Sequence, residues 1–136
     1  MNISDFKNPF FIGVAGVGMS AIAQYLQGIG KNVSGSDRYF HPDEYNKTKE
    51  QLENEGIKCF LQDGSGITAE TDLVVVSTAI EDTVYEVKKA KELGIPIIKR
   101  SQLLAMIAKS KKTVAVAGTS GKSTTSAMLF QILLDA

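Results

Sequence analysis

An α/β fold built on a parallel sheet is what this sequence predicts, and three observations predict it. Short apolar runs of strand length alternate along the chain with segments of helical periodicity. The run Asp72-Leu-Val-Val-Val-Ser77 is apolar on both faces, the pattern of a central strand covered on both sides. Glycine-containing turns at 13–18 and 118–121 each join a strand-like run to a helix-like one.

The elements follow in order. Residues 9–15 are a continuous apolar run and predict the first strand. Met19, Ile22, Ala23, Leu26 and Ile29 then recur at helical spacing, and Gly28 and Gly30 end that helix. Residues 32–36 predict a second strand. Residues 42–55 predict a polar helix, opened by Pro42-Asp43-Glu44, where proline and acids suit an N-terminus, and stopped by Gly56. A third strand follows at 57–61, a loop at 62–71 and the fourth strand at 72–77. Residues 83–93 predict a helix capped by Gly94. Residues 95–98 predict a fifth strand at or near an edge, because Pro96 has no N–H to give a ladder. A short helix at 101–108, a linker at 109–112 and a sixth strand at 113–117 lead to an apolar helix carrying Ala127, Met128, Phe130, Leu133 and Leu134. Right-handed crossovers place ligands outside the carboxyl ends of such strands, so the loops to inspect are 13–20, 35–40, 77–83, 99–101 and 118–124.

Composition narrows the function classes. With 136 residues, 43% apolar and 22% charged, the chain is that of one ordinary globular domain. Fifteen basic and fifteen acidic residues cancel, so nothing global points to nucleic acid or to an acidic membrane. Lys109, Lys111 and Lys112 read as a solvated linker. A single cysteine, Cys59, permits no internal disulfide and fits a reducing cytoplasm; within a strand it reads as packed and inert. The apolar stretch 9–19 is broken by glycines and lacks a basic leader, so it is neither a signal peptide nor a membrane span. His41, the sole histidine, has no companions for a metal site.

Two loops carry chemistry. Gly13-Val-Ala-Gly-Val-Gly-Met-Ser20 follows a strand and opens a helix, the context of a phosphate-holding dinucleotide turn, although Ala15 stands where the G-x-G-x-x-G register needs glycine. A tight packing turn is the alternative. Asp37 falls 19 residues after Gly18, where an acid meets a ribose or base; it also suits a turn or cap. Ser77 and Thr78 follow the central strand as ligands or loop caps, and Arg100 follows the fifth strand as a phosphate partner or a surface ion. Gly118-Thr-Ser-Gly-Lys-Ser123 lies between an apolar strand and an apolar helix and reads as an ATP-phosphate loop, with Lys122 supplying charge and the Ser123 hydroxyl placed for Mg²⁺.

In this order, these segments resemble the Mur ligases of peptidoglycan synthesis. The likeness is carried by Ile12-Gly-Val-Ala-Gly-Val-Gly-Met-Ser20, Val33-Ser-Gly-Ser-Asp37, Val76-Ser-Thr-Ala-Ile80, Ile95-Pro-Ile-Ile-Lys-Arg100 and residues 114–125. The resemblance implies a Rossmann-like UDP-sugar-binding domain over 1–108, a linker at 109–112, and the truncated start of a central ATP-binding domain at 113–136. It implies a cytoplasmic ligase that uses ATP and Mg²⁺ to activate a carboxylate of UDP-N-acetylmuramate as an acyl phosphate, which the amine of an amino acid, L-alanine, then attacks. Gly16, Val17, Gly18, Met19 and Ser20 would hold the diphosphate and Asp37 the uridine end, with Ser77, Thr78, Ala79 and Arg100 completing the site. Gly118, Thr119, Ser120, Gly121, Lys122, Ser123 and Thr124 would hold ATP, Lys122 serving catalysis and Ser123 the metal. The family's remaining catalytic parts would lie beyond Ala136, so the chain reads as a fragment inactive by itself. An NAD(P)-binding redox domain, a non-catalytic nucleotide sensor and the related ligase that attaches a recycled tripeptide are the competing readings.

Overall fold

Strand β1 (Pro9–Ile12) is buried along its whole length, as an unalternating apolar run must be when both sheet faces are covered. It pairs with β2 (Ser34–Ser36) on one side, and β3 (Lys58–Phe60) extends the sheet beyond β2. On the other side it pairs with β4 (Leu73–Val76), and β5 (Ile97–Lys99) follows. Every pair is parallel and the order is β3-β2-β1-β4-β5. The chain thus builds outward from β1 in one direction, then reverses at β4. A computed structural model describes residues 1–77 and 84–111; the strand, loop and helix expected from 113 onward lie outside the described residues.

Among the described residues four α-helices cover the sheet: α1 (Val17–Gly28), α2 (Lys47–Asn54), α3 (Tyr85–Glu92) and α4 (Arg100–Ser110). Strand side chains alternate between two cores, as the period-2 geometry of a strand requires. Phe11, Leu73 and Val75 pack with Met19, Ile22 and Leu26 of α1, Leu52 of α2 and Leu103 of α4. Phe10, Ile12 and Val74 face the other way, onto Val87 and Ala90 of α3 and onto Ile67.

Several boundaries differ from the expectation for physical reasons. The first strand stops at Ile12 because Gly13 turns away with φ +87. The helix expected at 42–55 starts only at Lys47: Pro42 sits in a turn closed by Glu44 N–H to His41 O, and the Asn46 side chain accepts the Lys49 N–H at 3.0 Å as the true cap. The fifth strand begins at Ile97, with Pro96 outside it offering only its carbonyl to Val74 N–H at 2.9 Å. It pairs with β4 alone among the described strands, so the edge placement holds. Helix α4 runs to Ser110, making helical the first two residues expected as linker.

Candidate functional site

The site is built where the chain leaves β1. Gly13 and Val14 both donate their N–H groups to the Ser36 carbonyl, at 2.8 and 2.9 Å, so the end of β2 anchors the turn. The Asp37 carboxylate, one residue on, accepts from Ala15 N–H at 3.0 Å through one oxygen and from Tyr39 N–H at 3.0 Å through the other. It is only 5% exposed. Asp37 therefore clasps the glycine turn and closes its own Asx turn, the turn role left open by its position in the sequence. Gly35 is needed for this close approach, since a Cβ there would lie 2.7 Å from Val14 Cβ and 2.8 Å from Phe11 O.

Helix α1 begins at Val17 with Gly16 as its N-cap and no side chain capping it. Ser20 N–H makes the first helical bond, to Gly16 O at 2.7 Å. The N–H groups of Val17, Gly18 and Met19 therefore have no acceptor within the helix, and they point out of its positive end. The Met19 side chain is buried in the core, so Met19 can reach a ligand only through its backbone. The Ser20 hydroxyl donates to Val17 O at 3.1 Å and keeps its lone pairs for other donors. Val17 stands 90% exposed on the rim.

Arg100 joins this place from across β4. It is the first residue of α4, and its guanidinium lies over Gly18: a methyl group added there would run into Nη1 and come within 3.1 Å of Cζ. The glycine at 18 makes room for a cation directly above the first turn of α1. Ser77, half-buried, is the first residue after β4, the strand that pairs with β1. The structure thus gathers Gly16, Val17, Gly18, Met19, Ser20, Asp37, Ser77 and Arg100 at the carboxyl ends of β1, β2, β4 and β5. Thr78, Ala79 and the whole set Gly118, Thr119, Ser120, Gly121, Lys122, Ser123 and Thr124 lie outside the described residues.

An open cleft of 370 Å³ is lined by Asp37 and Asp63 together with Arg38, Phe40, His41, Pro42, Leu61 and Gln62. Among the described residues no group of three or more His, Cys, Asp or Glu converges as a metal site, and no helix is long and apolar enough to cross a membrane. Cys59 is half-buried with its thiol pushed up to about 11, by burial first and by the Glu53 charge second, which suits the inert role expected of it.

The sequence reading missed one charged residue. Glu86, in the first turn of α3, is fully buried and accepts the Ser36 hydroxyl at 2.6 Å through Oε2, while Oε1 has no hydrogen-bond partner among the described residues. Burial pushes its pKa from the ordinary 4.5 up to about 7; the Ser36 hydroxyl and the Gly64 backbone pull it down, Asp63 pushes it up and Lys89 pulls it down. The available clue was its spacing, four residues before the apolar Ala90 on the same helix face.

The sheet order, the glycine turn after β1 and the crevice at the β1/β4 reversal define a Rossmann-like α/β domain. A family model described as the Mur ligase family, catalytic domain, matches residues 10–112. The chain belongs to the Mur ligase family. It is 45% identical over 124 residues to the UDP-N-acetylmuramate–L-alanine ligase of Carboxydothermus hydrogenoformans, covering 90% of this chain and 26% of that protein. The solved UDP-N-acetylmuramate–alanine ligase of Thermotoga maritima superposes with a TM-score of 0.78 at 31% identity, covering 93% of this chain and 29% of that one. The Neisseria UDP-N-acetylmuramate:L-alanyl-γ-D-glutamyl-meso-diaminopimelate ligase gives a TM-score of 0.76 at 29% identity, covering 91% and 38%. The chain spans 26–29% of the length of the curated relatives it matches.

Proposed function

We propose that this chain is the nucleotide-sugar-binding part of a cytoplasmic peptidoglycan ligase, and that it holds UDP-N-acetylmuramate with its diphosphate on the first turn of α1. The observation that carries the reading is the meeting of Arg100 with Gly18. A guanidinium and three helix N–H groups without an acceptor among the described residues converge there, the combination a diphosphate needs and a neutral ligand does not. Val17 and Ser20 form the rim, Ser77 follows β4, and the sequence assigns Thr78 and Ala79 to the same ligand. Asp37 stands at the uridine end, where the 370 Å³ cleft offers room for a base.

ATP and Mg²⁺ enter through the sequence 118–124 alone. When bound, ATP supplies the phosphoryl group that activates the substrate carboxylate, with Lys122 set to neutralise its charge and Ser123 to join the Mg²⁺ shell. The amine is L-alanine in the reading favoured by the relatives; the likeness to the Neisseria enzyme supports a second, in which a peptide takes its place. Both share the nucleotide sugar. The 136-residue chain is expected to bind without ligating, and ATP- and UDP-sugar-dependent phosphate release from it would overturn that part.

Calorimetric titration with UDP-N-acetylmuramate, UDP and NADH tests the proposal. The nucleotide sugar is expected to bind, UDP to bind more weakly and NADH not at all. Arg100→Ala should weaken nucleotide-sugar binding roughly 10- to 100-fold, the loss of a charge-assisted contact, with the unfolding midpoint unchanged. NADH binding without a response to UDP compounds would favour a redox domain instead.

A further inference from the structure

Glu86 is the one fully buried charged side chain among the described residues. Its position is costly: Oε1 has no hydrogen-bond partner among the described residues, and an apolar side chain of similar volume would avoid that desolvation. What the carboxylate touches is the Ser36 hydroxyl, at 2.6 Å, within the range of a short charge-assisted bond. Ser36 is the last residue of β2, and its carbonyl accepts both Gly13 and Val14 N–H. The next residue, Asp37, accepts Ala15 N–H. Three successive amides of the glycine turn therefore hang from two residues at the end of β2, and the side chain of the first is held from beneath by α3.

The same helix also holds Gly64, whose backbone favours the ionised Glu86 carboxyl. Lys89 Nζ donates to Gly64 O at 2.7 Å, and the Tyr85 ring lies against Gly64. Helix α3 thus packs against both the Gly64 loop and β2, and Glu86 is the polar contact it makes with the strand end that carries the turn.

We propose that Glu86 is a positioning residue for the nucleotide-sugar site, bracing Ser36 so that the glycine turn keeps the amides of α1 aimed at the diphosphate. This rests on the proposed function for its ligand, but the brace itself is a property of the free protein. It makes no contact with substrate in this account.

The test uses the 136-residue chain with Glu86→Leu, which removes the acceptor at similar volume, Glu86→Gln, which restores a neutral acceptor for the same hydroxyl, and Ser36→Ala. Two readings are taken: amide hydrogen exchange at Gly13, Val14 and Ala15 in the free protein, and calorimetric affinity for UDP-N-acetylmuramate. Glu86→Leu is expected to speed exchange at those three amides and to lower affinity, each by about tenfold, with an unfolding midpoint equal to wild type or higher. Glu86→Gln should recover most of both losses. Should Glu86→Leu fail to fold, Ser36→Ala carries the same two expectations. Exchange at Gly13 and Val14 unchanged in these variants would overturn the brace. Faster exchange with no nucleotide-sugar binding even by wild type would uphold the brace and sink the proposed ligand instead. Lower affinity that tracks lost stability, without rescue by Gln, would reduce Glu86 to a packing role and overturn the proposal.

Discussion

A methyl group at Gly35 would meet Val14 Cβ at 2.7 Å and the Phe11 carbonyl at 2.8 Å, neither of which is the free end of a flexible side chain. Gly35→Ala must therefore push the glycine turn away from β2 or bend the strand. The expected cost is about 1–3 kcal/mol, as for other overpacked interiors, read as a lower urea midpoint. Gly18 is a different case, because the atoms a methyl group would meet there belong to the mobile head of Arg100. Its glycine serves a close approach of cation to helix. The contrast explains what was legible at this scale. The glycines of 13–18, Asp37 and Arg100 stand out in the sequence because each falls just after a strand. Glu86 does not, because an acid in the first turn of a polar helix ordinarily reads as solvated and favourable to the helix dipole. Only the fold shows that the first turn of α3 is turned inward against Ser36.

At the scale of elements, β1 and β4 were the most legible, since apolar runs of strand length suit a strand covered on both faces. Helix starts were less so. Pro42-Asp43-Glu44 carries the composition of a helix N-terminus, yet those residues form a turn and the helix waits for Asn46. The deciding contact is one hydrogen bond, from Lys49 N–H to Asn46 Oδ1 at 3.0 Å. Asn46→Ala should cost about 1 kcal/mol of stability and fray the first turn of α2, seen as faster amide exchange at Lys49 and Glu50. Unchanged exchange would mean that packing of Leu52, not the cap, sets where α2 begins. Helix α4 ran past its expected end because Lys109 suits a helix C-terminus as well as it suits a linker.

At the scale of the molecule, the sheet order β3-β2-β1-β4-β5 follows from the alternation of strands and helices only as one of several arrangements. What selects it is which apolar faces meet, a matter of packing that no single segment carries. One consequence concerns pH. With Glu86 held near 7 instead of 4.5, the folded protein binds the extra proton between those values. The associated stability is complete below pH 4.5 and is lost as pH rises through 7, by up to about 3 kcal/mol. Glu86→Gln cannot titrate, so chemical denaturation from pH 4.5 to 8 should show wild type losing stability relative to that variant as pH rises. Parallel curves would place the Glu86 carboxyl at an ordinary value.

The nucleotide sugar is proposed to sit where the first turn of α1 meets Arg100. Amide NMR of the 136-residue chain titrated with UDP-N-acetylmuramate tests it most directly. The largest shifts are expected at the N–H groups of Val17, Gly18 and Met19, with accompanying changes at the Arg100 side chain. Saturable binding whose shifts leave those amides and Arg100 untouched would contradict it.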